Sequence, residues 1–224
     1  MANKNTTIKN KIKIAPSILS ADFGKLNQEI KEVEDSADLI HIDVMDGHFV
    51  KNITIGPPIV KSIKTKKPLD VHLMIEEPEK YIEAFAKAGA CNITFHAEVV
   101  PVNKRKELIK KIRELGCKAS ISINPDKELS LIKDVLEDVD MVLLMTVFPG
   151  FGGQKFILDV VPRIKELRKL KPNLDIEVDG GIDAETIKIA AKAGANVFVA
   201  GNAIFTQKDR KKAIDELRRN AENC

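Results

Sequence analysis

Tryptophan is absent from this sequence and tyrosine occurs once. Aromatic residues make up only 4% of the chain, too few to build a stacking platform for nucleobases. A charge excess is lacking as well. The 36 basic and 33 acidic residues leave a formal net charge of +3, not the basic stripe of a nucleic-acid binder. No apolar run approaches the roughly 20 residues of a membrane-spanning helix. We therefore expect neither a nucleic-acid nor a membrane partner. Cysteine is scarce: Cys91, Cys117 and Cys224 are odd in number and have no metal-ligand spacing. Residues 1–11, MANKNTTIKNK, contain no apolar core segment and no arginine, so they signal neither secretion nor import. Reduced thiols and a cytoplasmic location follow as expectations, and residues 1–11 read as a frayed lead-in to the first strand.

What is present is a regular alternation. Short β-type runs lie near 12–18, 39–45, 69–75, 92–96, 118–124, 141–147, 175–179 and 197–200. Between them come amphipathic stretches such as YIEAFAKAGA (81–90), KELIKKIRELG (106–116) and RIKELRKL (163–170), apolar at three- and four-residue spacing. Gly89, Gly116 and Gly194 mark helix stops. Eight strands alternating with helices imply parallel pairing through right-handed crossovers. The pentapeptide AKAGA occurs at 86–90 and again at 191–195, each time running straight into a strand. That near-half-chain offset suits four βα units per half. The expectation is a single (β/α)₈ barrel domain over 1–224. A doubly wound open sheet is the rival, but no GxGxxG follows the first strand.

Side chains alternate across a strand, so parity assigns faces. Aliphatic rows Ile40/Ile42/Val44, Val71/Leu73/Ile75, Ile121/Ile123 and Ile176/Val178 belong outside, against helices. That leaves Ala15 and Ser17, then His41, Asp43 and Met45, then Asp70, His72 and Met74 in the lumen. Ser120, Ser122 and Asn124 follow, with Met141, Leu143 and Met145, and finally Glu177 and Asp179. Ionised carboxylates cannot sit unpaired in a methionine-lined cavity without a large desolvation cost. Two neutral imidazoles and two carboxylates, from His41, Asp43, His72 and Asp179, make a reasonable shell for one divalent ion such as zinc, iron or manganese, with cobalt also fitting. The alternative is a hydrogen-bonded His–Asp network that only ties the barrel mouth together.

Glycine-rich turns follow three strands. Gly150, Phe151, Gly152 and Gly153 end the sixth, Gly180 and Gly181 the seventh, and Gly201-Asn202 opens a short apolar segment after the eighth. Loops after the last barrel strands, with a short extra helix, are the usual place for a phosphate. No lysine or arginine interrupts these glycines, so backbone N–H groups would carry the anion. Singly, each could be only a tight turn.

Seven segments together resemble the ribulose-phosphate 3-epimerase family: IAPSILSADF (14–23), HIDVMDGHFV (41–50), VHLMIEEPEKYI (71–82), TFHAE (94–98), MTVFPGFGGQKF (145–156), EVDGGI (177–182) and VAGNAIF (199–205). The resemblance implies interconversion of D-ribulose 5-phosphate and D-xylulose 5-phosphate through an enediolate, in the pentose phosphate pathway, by a homo-oligomer. It places metal ligands at His41, Asp43, His72 and Asp179, and the proton-transferring pair at Asp43 and Asp179. Ser17, Met45, His72, Met74 and Met145 fall around the phosphosugar substrate. Three positions depart from the family pattern: Lys51 where proline is common, Phe148 where a polar residue is usual, and Asn202 in place of a serine. His48 and His96 stay outside the catalytic set, His96 being read as a support for its neighbours. The rival readings are an allulose-6-phosphate 3-epimerase, a phosphosugar lyase or decarboxylase, which needs a lumen lysine, and a non-catalytic phosphate binder.

Overall fold

The computed structural model describes residues 10–224. Its eight strands are β1 (Lys13–Pro16), β2 (Ile40–Met45), β3 (Leu69–Met74), β4 (Ala90–His96), β5 (Lys118–Ile123), β6 (Met141–Met145), β7 (Asp175–Asp179) and β8 (Val197–Ala200). All neighbouring pairs are parallel, in the order β1-β8-β7-β6-β5-β4-β3-β2. One parallel bridge, Ser17 to His41, brings the ends of that sheet together and nearly closes it. The chain is thus an α/β barrel of the (β/α)₈ type, as the alternation of elements implied.

Eight α-helices lie among the described residues: α1 (Leu26–Val33), α2 (Pro57–Ser62), α3 (Ile82–Lys87), α4 (Val102–Glu114), α5 (Val161–Leu170), α6 (Thr186–Ala193), α7 (Asn202–Phe205) and α8 (Arg210–Glu222). Each longer helix buries residues spaced three or four apart, such as Leu26, Ile30 and Val33 in α1 and Ile214, Leu217 and Ala221 in α8. Asp209 starts α8 by accepting from the Lys212 amide at 2.9 Å. The left-handed turn after α6 falls on Gly194, with φ 115°.

The helical alternation fails at one crossover. Between β5 and β6 the chain forms a 3₁₀ turn (Leu129–Ile132) and further turns instead of an α-helix. Leu129, Ile132 and Val135 are buried there at a spacing of three. That is the 3₁₀ period, and Val135 N–H to Ile132 C=O follows it.

The outward rows assigned by parity pack into one large shell between strands and helices, containing Ile40, Ile42, Val44, Val71, Leu73, Ile176 and Val178. The lumen residues separate from it: Met45 and Met74 cluster with Val50, and Met145 with Leu143 and Val147. Of the expected lead-in, residues 1–9 lie outside the described part. Within the described part, Asn10 donates to the Leu174 carbonyl at 3.2 Å and Lys11 pairs with Asp38 at 3.3 Å.

Asp38 locks the seam of the barrel. Its carboxylate accepts from the Ile14 amide at 3.0 Å and pairs with Arg218 of α8 at 2.7 Å. Partial burial works against its charge, but these partners prevail and hold the carboxyl below the ordinary 3.8. A depressed folded-state value means the stabilisation is present above about pH 4 and drains away as pH falls through the folded value. Asp38→Asn is expected to cost roughly 1–3 kcal/mol at pH 7, with the difference shrinking toward pH 3. Denaturant melts of both proteins across that range check this, and a constant difference would contradict it.

Candidate active site and metal centre

The register of β2 against β3 builds the centre. His41 lies opposite Asp70, Asp43 opposite His72, and Met45 opposite Met74. The sequences His-x-Asp-x-Met and Asp-x-His-x-Met are therefore complementary, an acid facing an imidazole at the first two steps and methionine facing methionine at the third. β7 then delivers Glu177 and Asp179 beside Leu143 and Met145 of β6.

Four atoms converge. His41 Nε2 is 3.5 Å from Asp43 Oδ1 and 3.9 Å from Asp179 Oδ2. His72 Nδ1 stands 3.3 Å and 3.7 Å from the same two oxygens. Ligand atoms of all four residues lie within 4.8 Å of one another. A tetrahedral shell with bonds of about 2.0–2.1 Å has edges of about 3.3–3.4 Å, close to these separations. His41 Nε2 is fully buried and has no hydrogen-bond partner; in the neutral ring that donates Nδ1–H to Asp70, the Nε2 lone pair faces the middle of the group. Two imidazole nitrogens, one of them orphaned, and two carboxyl oxygens fit a divalent cation. A second acidic group, His41 with Asp70 and Glu177, lies directly beneath.

The supporting partners are as informative. Asp70 Oδ2 meets His41 Nδ1 at 2.8 Å, while Asp70 Oδ1 accepts from Asn92 at 2.6 Å. Ser120 donates to Asn92 Oδ1 at 2.6 Å, and the whole line is buried. Ser17 donates to Asp43 Oδ2 at 2.6 Å, which fixes the carboxylate plane and leaves Oδ1 toward the imidazoles. The sequence alone assigns no site role to Asp70 or Glu177. Their lumen parity is legible there, and the acid-opposite-imidazole register is the signal that marks Asp70.

The two central carboxyls are poised differently. Burial tends to raise Asp43, but the neighbouring His41 and His72 overcome it and pull the carboxyl far below its usual range. Asp179 accepts no such hydrogen bonds, and burial together with the charge of Asp43 raises it to about 7. His41 is raised because the Asp43 and Asp70 charges outweigh its burial, whereas burial takes His72 down to about 4. Glu177 is raised by burial and by Asp70.

Above this group opens a cavity of about 690 Å³. Asp43, Asp179, Ser17, Met45, Met74 and Met145 line its floor. His41 and His72 are fully buried beneath the carboxylates and do not form part of its wall. Gly150, Phe151, Gly152, Gly153, Gly180, Gly181, Gly201 and Asn202 all line the same cavity, Phe151 standing 60% exposed at its rim. The three glycine loops thus meet at one mouth, α7 starting at Asn202. A Cβ at Gly181, where φ is 65°, would strike the Phe156 backbone. One at Gly153 would sit 2.7 Å from the Asn202 side-chain nitrogen, so that amide closes on the loop. Asn202 itself accepts from Ser20 at 2.8 Å. Lys155, just past the glycines, also lines the cavity, a cation that the glycine stretches by themselves do not reveal. Phe148 is exposed beside the cavity loop, and its carbonyl accepts from Gln154 at 2.7 Å. Next to Lys51, Asn52 donates to Gly150 C=O at 2.7 Å, linking the β2 and β6 loops.

Barrel and site together define a class: an α/β-barrel enzyme with an acid-rich lumen centre under an anion-suited mouth. The ribulose-phosphate 3-epimerase family model matches residues 13–205. A ribulose-phosphate 3-epimerase of Bacillus subtilis is 57% identical over 215 residues, spanning 92% of this chain and 98% of the relative. One from Synechocystis is 51% identical over 214 residues, spanning 92% and 93%. The chain belongs to the ribulose-phosphate 3-epimerase family. Among solved structures, KGPDC from Streptococcus mutans superposes with TM-score 0.76 at 13% identity, covering 95% of this chain and 98% of that one. The 3-hexulose-6-phosphate synthase of Salmonella typhimurium gives 0.72 at 20%, covering 95% and 99%. These two likenesses concern the fold.

His41→Ala or His72→Ala is expected to weaken binding of a divalent cation by about 100-fold or more, since loss of even an outer partner typically costs 10–100-fold. Calorimetric titration of chelator-stripped protein measures this, and unchanged affinity in both variants would put the cation elsewhere.

Proposed function

We propose that this chain interconverts D-ribulose 5-phosphate and D-xylulose 5-phosphate by moving the proton at C3. The observation that carries the reading is the convergence of two lumen carboxyls, Asp43 of β2 and Asp179 of β7, on the same pair of imidazole nitrogens. Membership of the epimerase family supports it. Epimerisation beside a ketone removes a proton from one face of the carbon and delivers one to the other. Two carboxyl groups reaching a substrate from strands on different sides of the lumen are the smallest set that can do both.

The side chains divide the work. One of Asp43 and Asp179 takes the C3 proton while the other supplies its own, and the roles exchange for the reverse reaction. Ser17 keeps Asp43 oriented. A divalent cation held by His41, Asp43, His72 and Asp179, zinc first and iron, manganese or cobalt as alternatives, would supply Lewis-acid stabilisation of charge developing on the sugar oxygens. Met45, Met74 and Met145 give the planar intermediate an apolar, polarisable surrounding and exclude water that would protonate it at random. Backbone N–H groups of the 150–153, 180–181 and 201–202 turns receive the phosphate, with Lys155 adding charge. A decarboxylase reading lacks its lumen lysine: among the described residues no lysine is buried. The same reading puts the reaction in the pentose phosphate pathway, in a cytoplasmic homo-oligomer; a rice relative 46% identical over 216 residues, spanning 94% of both chains, is named a cytoplasmic isoform. Among the described residues no helix is long and apolar enough to cross a membrane.

Asp43→Asn and Asp179→Asn should each lower kcat by about 10²–10⁴. Each should also spare exchange of the C3 proton with solvent for one epimer only. Coupled assay and NMR in deuterated water follow the two processes. Near-normal epimerisation by either variant would refute the two-carboxyl assignment.

A further inference from the structure

His96 ends β4 with its ring in the lumen, fully buried. Its Nε2 lies 2.8 Å from His72 Nε2, the nitrogen of that ring turned away from the carboxylate pair. Its Nδ1 lies 3.3 Å from Glu98 Oε2, and Glu98 Oε1 accepts from the Asn124 amide at 2.7 Å. The Phe49 ring covers His96 at a centroid distance of 4.6 Å.

A neutral imidazole has one N–H and one lone pair. A close nitrogen-to-nitrogen contact needs a donor on one ring and an acceptor on the other. When His72 gives its Nδ1 lone pair to a cation, its proton must reside on Nε2 and His96 must accept there. The proton of His96 is then on Nδ1, which faces the Glu98 carboxylate. Only one arrangement of protons satisfies all three side chains. We propose that Glu98 and His96 form a proton-ordering line that sets the tautomer of His72, keeping its Nδ1 lone pair turned to the cation. Both are positioning residues, since neither lines the cavity that opens over the two carboxyls. The inference rests on the reading of His72 as a cation ligand. It parallels the Asp70 contact to His41, so each imidazole of the centre is oriented by a carboxylate, one directly and one through a second ring.

Three variants separate proton ordering from packing. His96→Gln offers a carbonyl oxygen to His72 and an amide donor to Glu98. His96→Phe fills the space but has neither. Glu98→Gln never touches His72, yet it reverses the line. The Asn124 N–H keeps the amide oxygen, so the NH₂ turns to His96 Nδ1 and drives its proton to Nε2, donor against donor. The full chain, stripped by chelation, is titrated with Co²⁺ alone, followed by the absorption of the bound ion. The expected result is that His96→Phe and Glu98→Gln weaken Co²⁺ binding by about 10–100-fold and alter its spectrum, while His96→Gln stays within about threefold of the parent. A parent that binds Co²⁺ together with an unaffected Glu98→Gln, or with His96→Gln as weak as His96→Phe, overturns the proton line alone. A parent that does not bind Co²⁺ overturns the cation reading and this inference with it.

Discussion

Burying two carboxylates and two imidazoles in the mouth of a barrel is costly unless every charge and lone pair is met. Here the side chains meet only part of that demand. Asp43 is held by Ser17 and faces both imidazoles, and His41 is held from behind by Asp70, yet His41 Nε2 has no partner. Asp179, pressed by burial and by the charge of Asp43, is raised toward neutrality. One doubly positive ion held by these four side chains would relieve both strains together, meeting the orphaned nitrogen and balancing the two acids. The outer hydrogen-bonded lines from Asp70 and from Glu98 through His96 would then support an ion-binding face.

The same constraint explains how the barrel carries chemistry without disturbing its own packing. The stabilising apolar shell lies entirely between strands and helices, where Ile42, Val71, Val178 and their neighbours are buried. The polar centre occupies the opposite face of the same strands. A substitution in the lumen therefore alters reactivity more than the outer core, whereas the Asp38–Arg218 seam acts on stability and stands apart from the site.

Much of this is legible in the sequence because strand parity is rigid. Once Ile40, Ile42 and Val44 are assigned to the helices, His41 and Asp43 have nowhere to go but inward. Other features depend on information that local pattern does not carry. The pairing of Asp70 with His41 follows from the register between β2 and β3, and that register fixes which acid meets which ring. The turn at 129–132 escapes a reading by periodicity because spacing of three and spacing of three-to-four look alike over so few residues. The contact between His72 and His96 joins β3 to β4, and nothing in TFHAE specifies which nitrogen of which ring it meets. The closing of the Asn202 side chain on the 150–153 turn likewise arises only when three loops share one mouth.

The central claim is that four side chains surround one cation. X-ray absorption at the zinc edge of the zinc-loaded protein tests it most directly. The account predicts nitrogen and oxygen scatterers only, at about 2.0–2.2 Å, with the outer-shell pattern of two imidazoles. Sulfur at about 2.3 Å, from one of the three free cysteines, or a spectrum without imidazole, would contradict it.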